Sequence, residues 1–373
     1  MKTEYNTVVN AIFELLRAGL WEKEARLSTF GAIDYKEVYL IAEEQSVTGL
    51  VAAGLEHVTD VKVPKEDLLQ FAGSALQIEQ RNKAMNDFVA KLIGWLRKAG
   101  VYALLVKGQG IAQCYERPLW RACGDVDLLM SSNDYEKAKK VLVPLATEFE
   151  TEYTHFKHVG MTIDGWVVEL HGTLHSRLSK RVDMQIDAVQ EDTFKFGNVR
   201  SWENGGVTVF LPAVDNDVIF VFTHILHHFF FEGIGLRQIC DWCRLLWTYK
   251  SSLNHGLLES RVRKMGLMSE WKAFAAYAIE YLGMPEEAMP LLGEEAKWSR
   301  KAVRINAFVL EVGNFGHKQR RDYGGMSYLK RKFISFWGRL SDMLRHFSIF
   351  PLDSIRFFGG VLRSGLHAAV RGE

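Results

Sequence analysis

The stretch LVKGQGIAQCYERPLWRACGDVDLLM, residues 105–130, decides how this chain is read. It begins in the apolar run VYALLV and ends in VDLLM, and both runs are strand-like; a glycine pair, Gly108 and Gly110, and a helix-sized gap lie between them. Side chains alternate across a strand, so Asp125 and Asp127 point to one face while Val126 and Leu128 point to the other. Two adjacent carboxylates on one face repel, and something positive must sit between them. Magnesium fits, because it takes oxygen ligands and is typically held by one or two carboxylates together with substrate phosphates.

A second Asp-x-Asp, Asp215 and Asp217, opens a helical pattern and reads as an N-cap pair favoured by the helix dipole. The first pair differs in its surroundings. A strand, the turn Lys107-Gly108-Gln109-Gly110 and a helix start precede it. Backbone N–H groups at such a turn can cradle phosphate oxygens, glycine lets the backbone approach closely, and Lys107 adds a charge. Glu169, in the strand-like WVVELH, shares a face with Val167 and His171. Three carboxylates from neighbouring strands complete a two-metal site, with one ion on the attacking oxygen and one on the phosphates. Arg121 is placed on the loop entering the Asp125 strand, to orient a carboxylate or reach a phosphate bidentately. His171 is placed to hydrogen-bond a ligating carboxylate or the substrate.

Around this unit the texture changes twice. Residues 1–98 repeat apolar positions at helical spacing, and the last helical run stops at Gly100 after Arg97 and Lys98. Residues 99–212 form an α+β unit of short strand-like runs, VYALLV, DVDLLM, TEYTHFKHVGMTI, GWVVELHGTL and GVTVFL, with one helix starting near Gln109 and another after Ser131-Ser132-Asn133. Residues 213–373 return to helical spacing. No internal repeat or Pro- or Ser-rich linker separates the three regions.

Composition excludes several classes. The 373 residues carry 46 Lys and Arg against 45 Asp and Glu, so no overall basic field gathers nucleic acid, and nucleic acid is an unlikely partner. Four cysteines, Cys114, Cys123, Cys240 and Cys243, are too few for a disulfide framework and suit a reducing compartment. No stretch reaches the roughly 18 uncharged apolar residues that span a bilayer, and the N-terminus reads as an amphipathic helix; the expectation is a cytoplasmic protein without a transmembrane segment.

The run from Leu105 to Met130, followed by VVELHGTL, resembles the nucleotidyltransferases of the polymerase-β-like superfamily, closest to a bacterial uncharacterised group whose pattern runs Leu-x-Lys-Gly, a short helix, Arg-x-x-x-Asp-x-Asp, then Glu-Leu-His. The segment HILHHFFFEGIGLRQICDWCRLL is similar to that group's helical second half, and the resemblance spans roughly residues 85–250. It implies a minimal nucleotidyltransferase core, a mixed β-sheet with helices, flanked by helical regions. It also implies magnesium, two ions, and a nucleoside triphosphate as substrate. Carried over, Asp125 and Asp127 bind metal, Glu169 is the third carboxylate, and Gly108 and Gln109 hold the triphosphate, with Lys107, Gly110 and Arg121 beside them. Where the wider superfamily places a serine after the glycine, this chain has Gln109.

Three histidines, His224, His227 and His228, fall on one helix, and Cys240 and Cys243 on the next; their spacing matches no zinc pattern, and the cysteines beside Ile239 and Trp242 read as packing. His224 and His228 share a helix face, as do Arg237 and Asp241. In the resembling family this half follows the catalytic unit, so these four residues line the acceptor side of the cleft, or else form a buried Arg–Asp pair and core histidines. The tail from Tyr328 to Arg371 is basic and amphipathic, suited to a solvated helix face or a membrane-surface contact.

The reading is a magnesium-dependent nucleotidyltransferase that moves a nucleoside monophosphate to the hydroxyl of an unidentified small-molecule or protein acceptor, releasing pyrophosphate. Two alternatives stand beside it. One is a non-catalytic nucleotide-binding sensor, favoured by Gln109 in place of serine; the other is a helical interaction protein whose acids are merely solvated.

Overall fold

A computed structural model of the chain describes residues 2–152, 157–313 and 344–357, with side chains from Thr7 onward. The N-terminal helices are α1 (Lys2–Trp21), α2 (Tyr35–Glu44), α3 (Thr48–Leu55) and α4 (Lys65–Lys98). Helix α4 carries Glu66 and Asp67 in its first turn and Arg97 and Lys98 in its last, both matched to the helix dipole. Its 34 residues serve two cores. Phe71 and Ala75 join the N-terminal helices, whereas Met85, Phe88, Val89, Leu92, Ile93 and Leu96 pack beneath the sheet.

The α+β unit follows as β1 (Ala103–Val106), α5 (Gly108–Ala112), β2 (Asp125–Met130), α6 (Ser132–Leu142), β3 (Glu148–Phe149), β4 (His158–Ile163) and β5 (Trp166–His171). Ser131 caps α6, its hydroxyl accepting from the Asp134 N–H at 3.2 Å. The five strands form one mixed sheet in the order β1-β2-β5-β4-β3, antiparallel except where β2 lies parallel to β5. The α+β expectation, a mixed sheet with flanking helices, is what the chain forms.

Two elements depart from the sequence reading. Residues Lys180–Phe196 form a long helix, α7, that was not expected, although Ser179 caps it and Val182, Ile186, Val189 and Thr193 line its buried face at helical spacing. The run GVTVFL does not join the main sheet: β7 (Val207–Pro212) pairs with β6 (Val199–Asn204) in a separate two-stranded ribbon turned at Gly205 and Gly206.

The C-terminal half contains α8 (Val214–Phe231), α9 (Leu236–Thr248), α10 (His255–Met265), α11 (Met268–Leu282) and α12 (Lys297–Val312), with helical turns over 344–347 and 351–357. Asp215 and Asp217 lie in the first turn of α8 but do not cap it; Ala213 holds that position, Asp217 pairs with Arg200, and Asp215 accepts from the Asn254 N–H. Of the basic tail, Lys330, Arg331, Lys332, Arg339, Arg363 and Arg371 lie outside the described residues. Arg345 pairs with Glu311 at 3.0 Å and Arg356 with Asp353 at 2.9 Å. Among the described residues no helix is long and apolar enough to cross a membrane.

The two faces of the sheet meet different cores. Leu105, Val126, Leu128, Met130, Val168 and Leu170 pack on α4 and α6, while Leu104, Val106 and Leu129, from the opposite face, join the core built around α8 and α9. This second face also carries Asp127, Glu169 and His171, so α8 and α9 form the far wall of the space above them. Phe222 anchors α8, its ring 5.3 Å from that of Trp242 and 4.7 Å from that of Trp271. Phe222→Ala should therefore cost about 3–5 kcal/mol in urea unfolding and loosen this wall; a loss under about 1 kcal/mol would show that α8 is held elsewhere.

Candidate active site

Parallel pairing of β2 with β5 sets Asp127 directly opposite Glu169 and Asp125 opposite Val167, so all three acids issue from one face of the sheet. They line a cleft of about 370 Å³ whose walls include Lys107, Gly108, His158 and His171 on the sheet side and Phe220, His224, His228 and Arg237 on the helical side. Lys107 ends the strand as expected, and its ammonium donates to Asp127 Oδ1 at 2.9 Å. It does so with φ at +57°, next to Gly108 at +39°, a left-handed turn that swings the chain from β1 into α5. A Cβ on Gly108 would lie 3.2 Å from the Cys123 sulfur, so the turn is also packed against the loop leading to Asp125.

The same turn corrects two assignments. Gln109 does not present its amide to the cleft: it is 1% exposed, and Nε2 donates to Asn82 Oδ1 at 2.8 Å. Asn82 in turn donates to the carbonyls of Leu119 and Arg121, each at 2.8 Å, so Gln109 steadies the loop that delivers Asp125. Gly110 faces away from the cleft as well. A Cβ there would sit 2.8 Å from Leu211 Cδ2, and its lack of a side chain lets α5 pack on β7. Arg121 is engaged by Asp241, through Nε at 3.0 Å and Nη2 at 2.5 Å, and Tyr115 Oη donates to the same carboxylate at 2.7 Å. Both charges are buried and each satisfies the other, while both residues still line the cleft. The buried Arg–Asp pair exists, but its arginine is Arg121 and not Arg237. Arg237 remains at the cleft wall, donating through Nη1 to the Ala122 carbonyl at 2.8 Å.

His171 bridges the acids, with Nε2 2.8 Å from Asp127 Oδ1 and 3.4 Å from Glu169 Oε2. His158 approaches from β4, with Nε2 3.2 Å from Glu169 Oε2. The imidazoles of His224 and His228 meet at 3.1 Å, and His228 Nδ1 contacts Glu232 at 3.0 Å. These histidines line the cleft, whereas Cys240 and Cys243 are buried in the core with free thiols, so the two groups do not converge.

The electrostatics follow from burial and neighbours. Burial pushes Asp125 up, and repulsion from Asp127 and Glu169 adds to it, raising its pKa to about 6. Burial also pushes Asp127 up, but the Lys107 charge and the His171 hydrogen bond outweigh this and hold it below the ordinary value. Glu169 is held well below its ordinary value, because hydrogen bonds from His158 and His171 override desolvation. Desolvation, followed by the Lys107 charge, drives His224 far down, so it is neutral at physiological pH. Three carboxylates thus meet in one cleft, with Lys107 on Asp127 and only the longer-range charges of Lys107 and Arg237 acting on Asp125. An all-oxygen donor set with excess negative charge fits magnesium.

His158 and Glu232 were not singled out from the sequence. His158 was within reach: Asp164 and Gly165 adopt φ of +50° and +79°, a two-residue turn typical of Asp-Gly, and folding back over that turn sets His158 opposite His171. Glu232 follows the last turn of α8, and only the packing of α8 over the sheet brings it to the cleft.

Two outcomes are expected. Asp125 in the folded chain keeps its proton to about pH 6, above the ordinary 3.8, so the native state binds more protons within that window and stability rises as pH falls through it. Asp125→Asn, unfolded with chelator present, should therefore gain about 1–3 kcal/mol at pH 7 and lose that advantage below the window; destabilisation at pH 7 would mean that the three acids do not repel. Arg121→Ala should cost about 3–5 kcal/mol by leaving Asp241 buried and unpaired, and the double change Arg121→Met with Asp241→Leu should cost clearly less. Equal losses would place the Arg121 contribution in packing.

Comparison with known proteins then bears on identity. No curated protein matches the chain. A crystal structure described as an antigenic nucleotidyltransferase-like protein from Paracoccidioides brasiliensis aligns at 15% identity over 50% of this chain and 90% of its own, with a TM-score of 0.30. That likeness is too distant to bear on fold or chemistry. A family described as uncharacterised nucleotidyltransferase matches residues 31–283, a span that starts in the N-terminal helices and ends after α11. The chain belongs to that uncharacterised nucleotidyltransferase family.

Proposed function

We propose that the protein transfers a nucleoside monophosphate from a nucleoside triphosphate to an acceptor hydroxyl, with magnesium and with release of pyrophosphate. One observation carries this reading: Asp127 lies opposite Glu169 across parallel strands, with Asp125 on the same face and the Lys107–Gly108 turn at its edge. Family membership supports nucleotidyl transfer as the general activity.

The acceptor oxygen attacks the α-phosphorus, the bond to the β-phosphate bridging oxygen breaks, pyrophosphate leaves, and the hydroxyl proton passes to a base. Asp125 and Asp127 would hold both ions, and Glu169 the ion nearest the acceptor. When bound, the ions supply the charge that offsets the phosphates and acidifies the acceptor hydroxyl. Held charged by His158 and His171, Glu169 is a ligand first and a base second. Lys107 exchanges its hold on Asp127 for the triphosphate, whose oxygens also meet backbone N–H groups at Gly108. Arg237 and the neutral His224 and His228 would face the acceptor from the helical wall. Most of the rate enhancement is assigned to positioning and charge, with no covalent intermediate. The activity needs no membrane span and no nucleic-acid partner.

The experiment is to incubate the purified protein and its Asp127→Asn variant with magnesium, each nucleoside triphosphate and a cell extract, and to search by mass spectrometry for nucleotide-modified species while following pyrophosphate. The expected result is a nucleotide-modified acceptor whose formation falls roughly 10²–10³-fold in the variant. Nucleotide-dependent thermal stabilisation without pyrophosphate would turn the reading to a sensor. No stabilisation by any nucleotide would leave only an interaction protein.

A further inference from the structure

Beside the oxygen-only pair Asp125 and Asp127, the cleft contains a different donor set. His158 Nε2, His171 Nε2 and Glu169 Oε2 lie within 4.8 Å of one another. Both imidazole nitrogens are aimed at the same carboxylate oxygen, at 3.2 and 3.4 Å, and the two rings stand 4.7 Å apart with their planes tilted by 34°. Asp127 Oδ1 lies 2.8 Å from His171 Nε2 but stands outside this group of three. Bonds of about 2.0–2.2 Å to imidazole nitrogen and carboxylate oxygen place the ligand atoms of a tetrahedral site roughly 3.4 Å apart, close to the 3.2 and 3.4 Å that separate each imidazole nitrogen from Glu169 Oε2. Hydrogen bonding satisfies the group less well: three Nε2···O contacts join these residues, yet each Nε2 supplies one proton at most.

We propose that His158, Glu169 and His171 form a three-residue binding site for a nitrogen-preferring divalent transition metal such as Zn2+ or Co2+, next to the all-oxygen magnesium position of Asp125 and Asp127. This rests on the reading of the cleft as a metal site and refines which ion occupies its Glu169 side. Imidazole selects transition metals and is a poor ligand for magnesium, so the two positions differ in chemistry as well as place. The fold supplies the geometry. The Asp164-Gly165 turn fixes β4 against β5 so that His158 and His171 are directly opposed, and the parallel β2–β5 register keeps Asp127 on the other side of Glu169, toward the magnesium position.

The test titrates the full chain, freed of metal by chelation, with Co2+, Zn2+ and Mg2+. Visible ligand-field absorption reports Co2+, histidine Nε2 resonances report Zn2+, and calorimetry reports Mg2+. One equivalent of Co2+ should give the absorption of a nitrogen-containing site, and one equivalent of Zn2+ should shift two imidazoles. In His158→Gln the Co2+ and Zn2+ affinities should fall at least about tenfold, and Mg2+ affinity by clearly less. His158 is partly exposed at the rim of the sheet, and the unfolding midpoint of the metal-free variant checks that it folds. If it does not, the wild-type imidazole shifts decide alone. The inference is overturned if no imidazole shifts with stoichiometric Zn2+, or if His158→Gln weakens Mg2+ as much as Co2+. Its failure leaves the nucleotidyl-transfer proposal standing, since that depends on pyrophosphate release with Mg2+ and on Asp127→Asn.

Discussion

The register of β2 against β5 is the constraint on which the site depends. It sets two carboxylates, Asp127 and Glu169, side by side across a parallel ladder, with Asp125 on the same face, inside a cleft roofed by helices. Like charges on adjacent strands oppose folding, and the chain accommodates them by surrounding the two paired acids with cationic or hydrogen-bonding partners: Lys107 and His171 on Asp127, and His171 and His158 on Glu169. Among the described residues Asp125 has no such hydrogen-bonded partner, and of the three acids it is the one whose proton is held to the highest pH. A fold that leaves one carboxylate in this state keeps a position at which positive charge is favoured.

Much of the surrounding chain keeps that register rigid. Beneath the sheet, the C-terminal half of α4 and the buried face of α6 close one core; above it, α8 and α9 close another. The loop between α5 and β2 is tied over residues 119–121. Asn82, itself held by Gln109, donates to its carbonyls, and the Arg121–Asp241 pair pins it to α9. Gln109 and Arg121, which read as ligand contacts in the sequence, are thus engaged by protein partners that fix where Asp125 emerges. A buried pair of this kind adds little net stability compared with apolar packing, but removing one partner is costly, so it enforces one arrangement of loop and helix.

The strand–turn–helix–strand order, the shared face of Asp125 and Asp127, the Ser131 cap and the end of α4 were all legible in the sequence, because each depends on neighbours a few residues apart and on periods of 2 and 3.6. Helix α7 was legible too, in its Ser179 cap and apolar spacing, and the short strand-like runs around it masked it. His158 was one step further off, readable once the Asp164-Gly165 turn is taken as the hinge of a hairpin.

The sequence by itself determined which residues were available for chemistry and on which local elements they ride. It could not determine partners that meet across the fold. A parallel pair has no connecting turn to fix its register, so only the packed sheet decided that Asp127 faces Glu169. Likewise only the docking of α9 decided that Asp241 meets Arg121, 120 positions away, leaving Arg237 at the cleft. Side-chain direction at Gln109 was a matter of competition between a phosphate position and a buried polar partner, and the close packing of α4 against α5, absent from any local pattern, settled it.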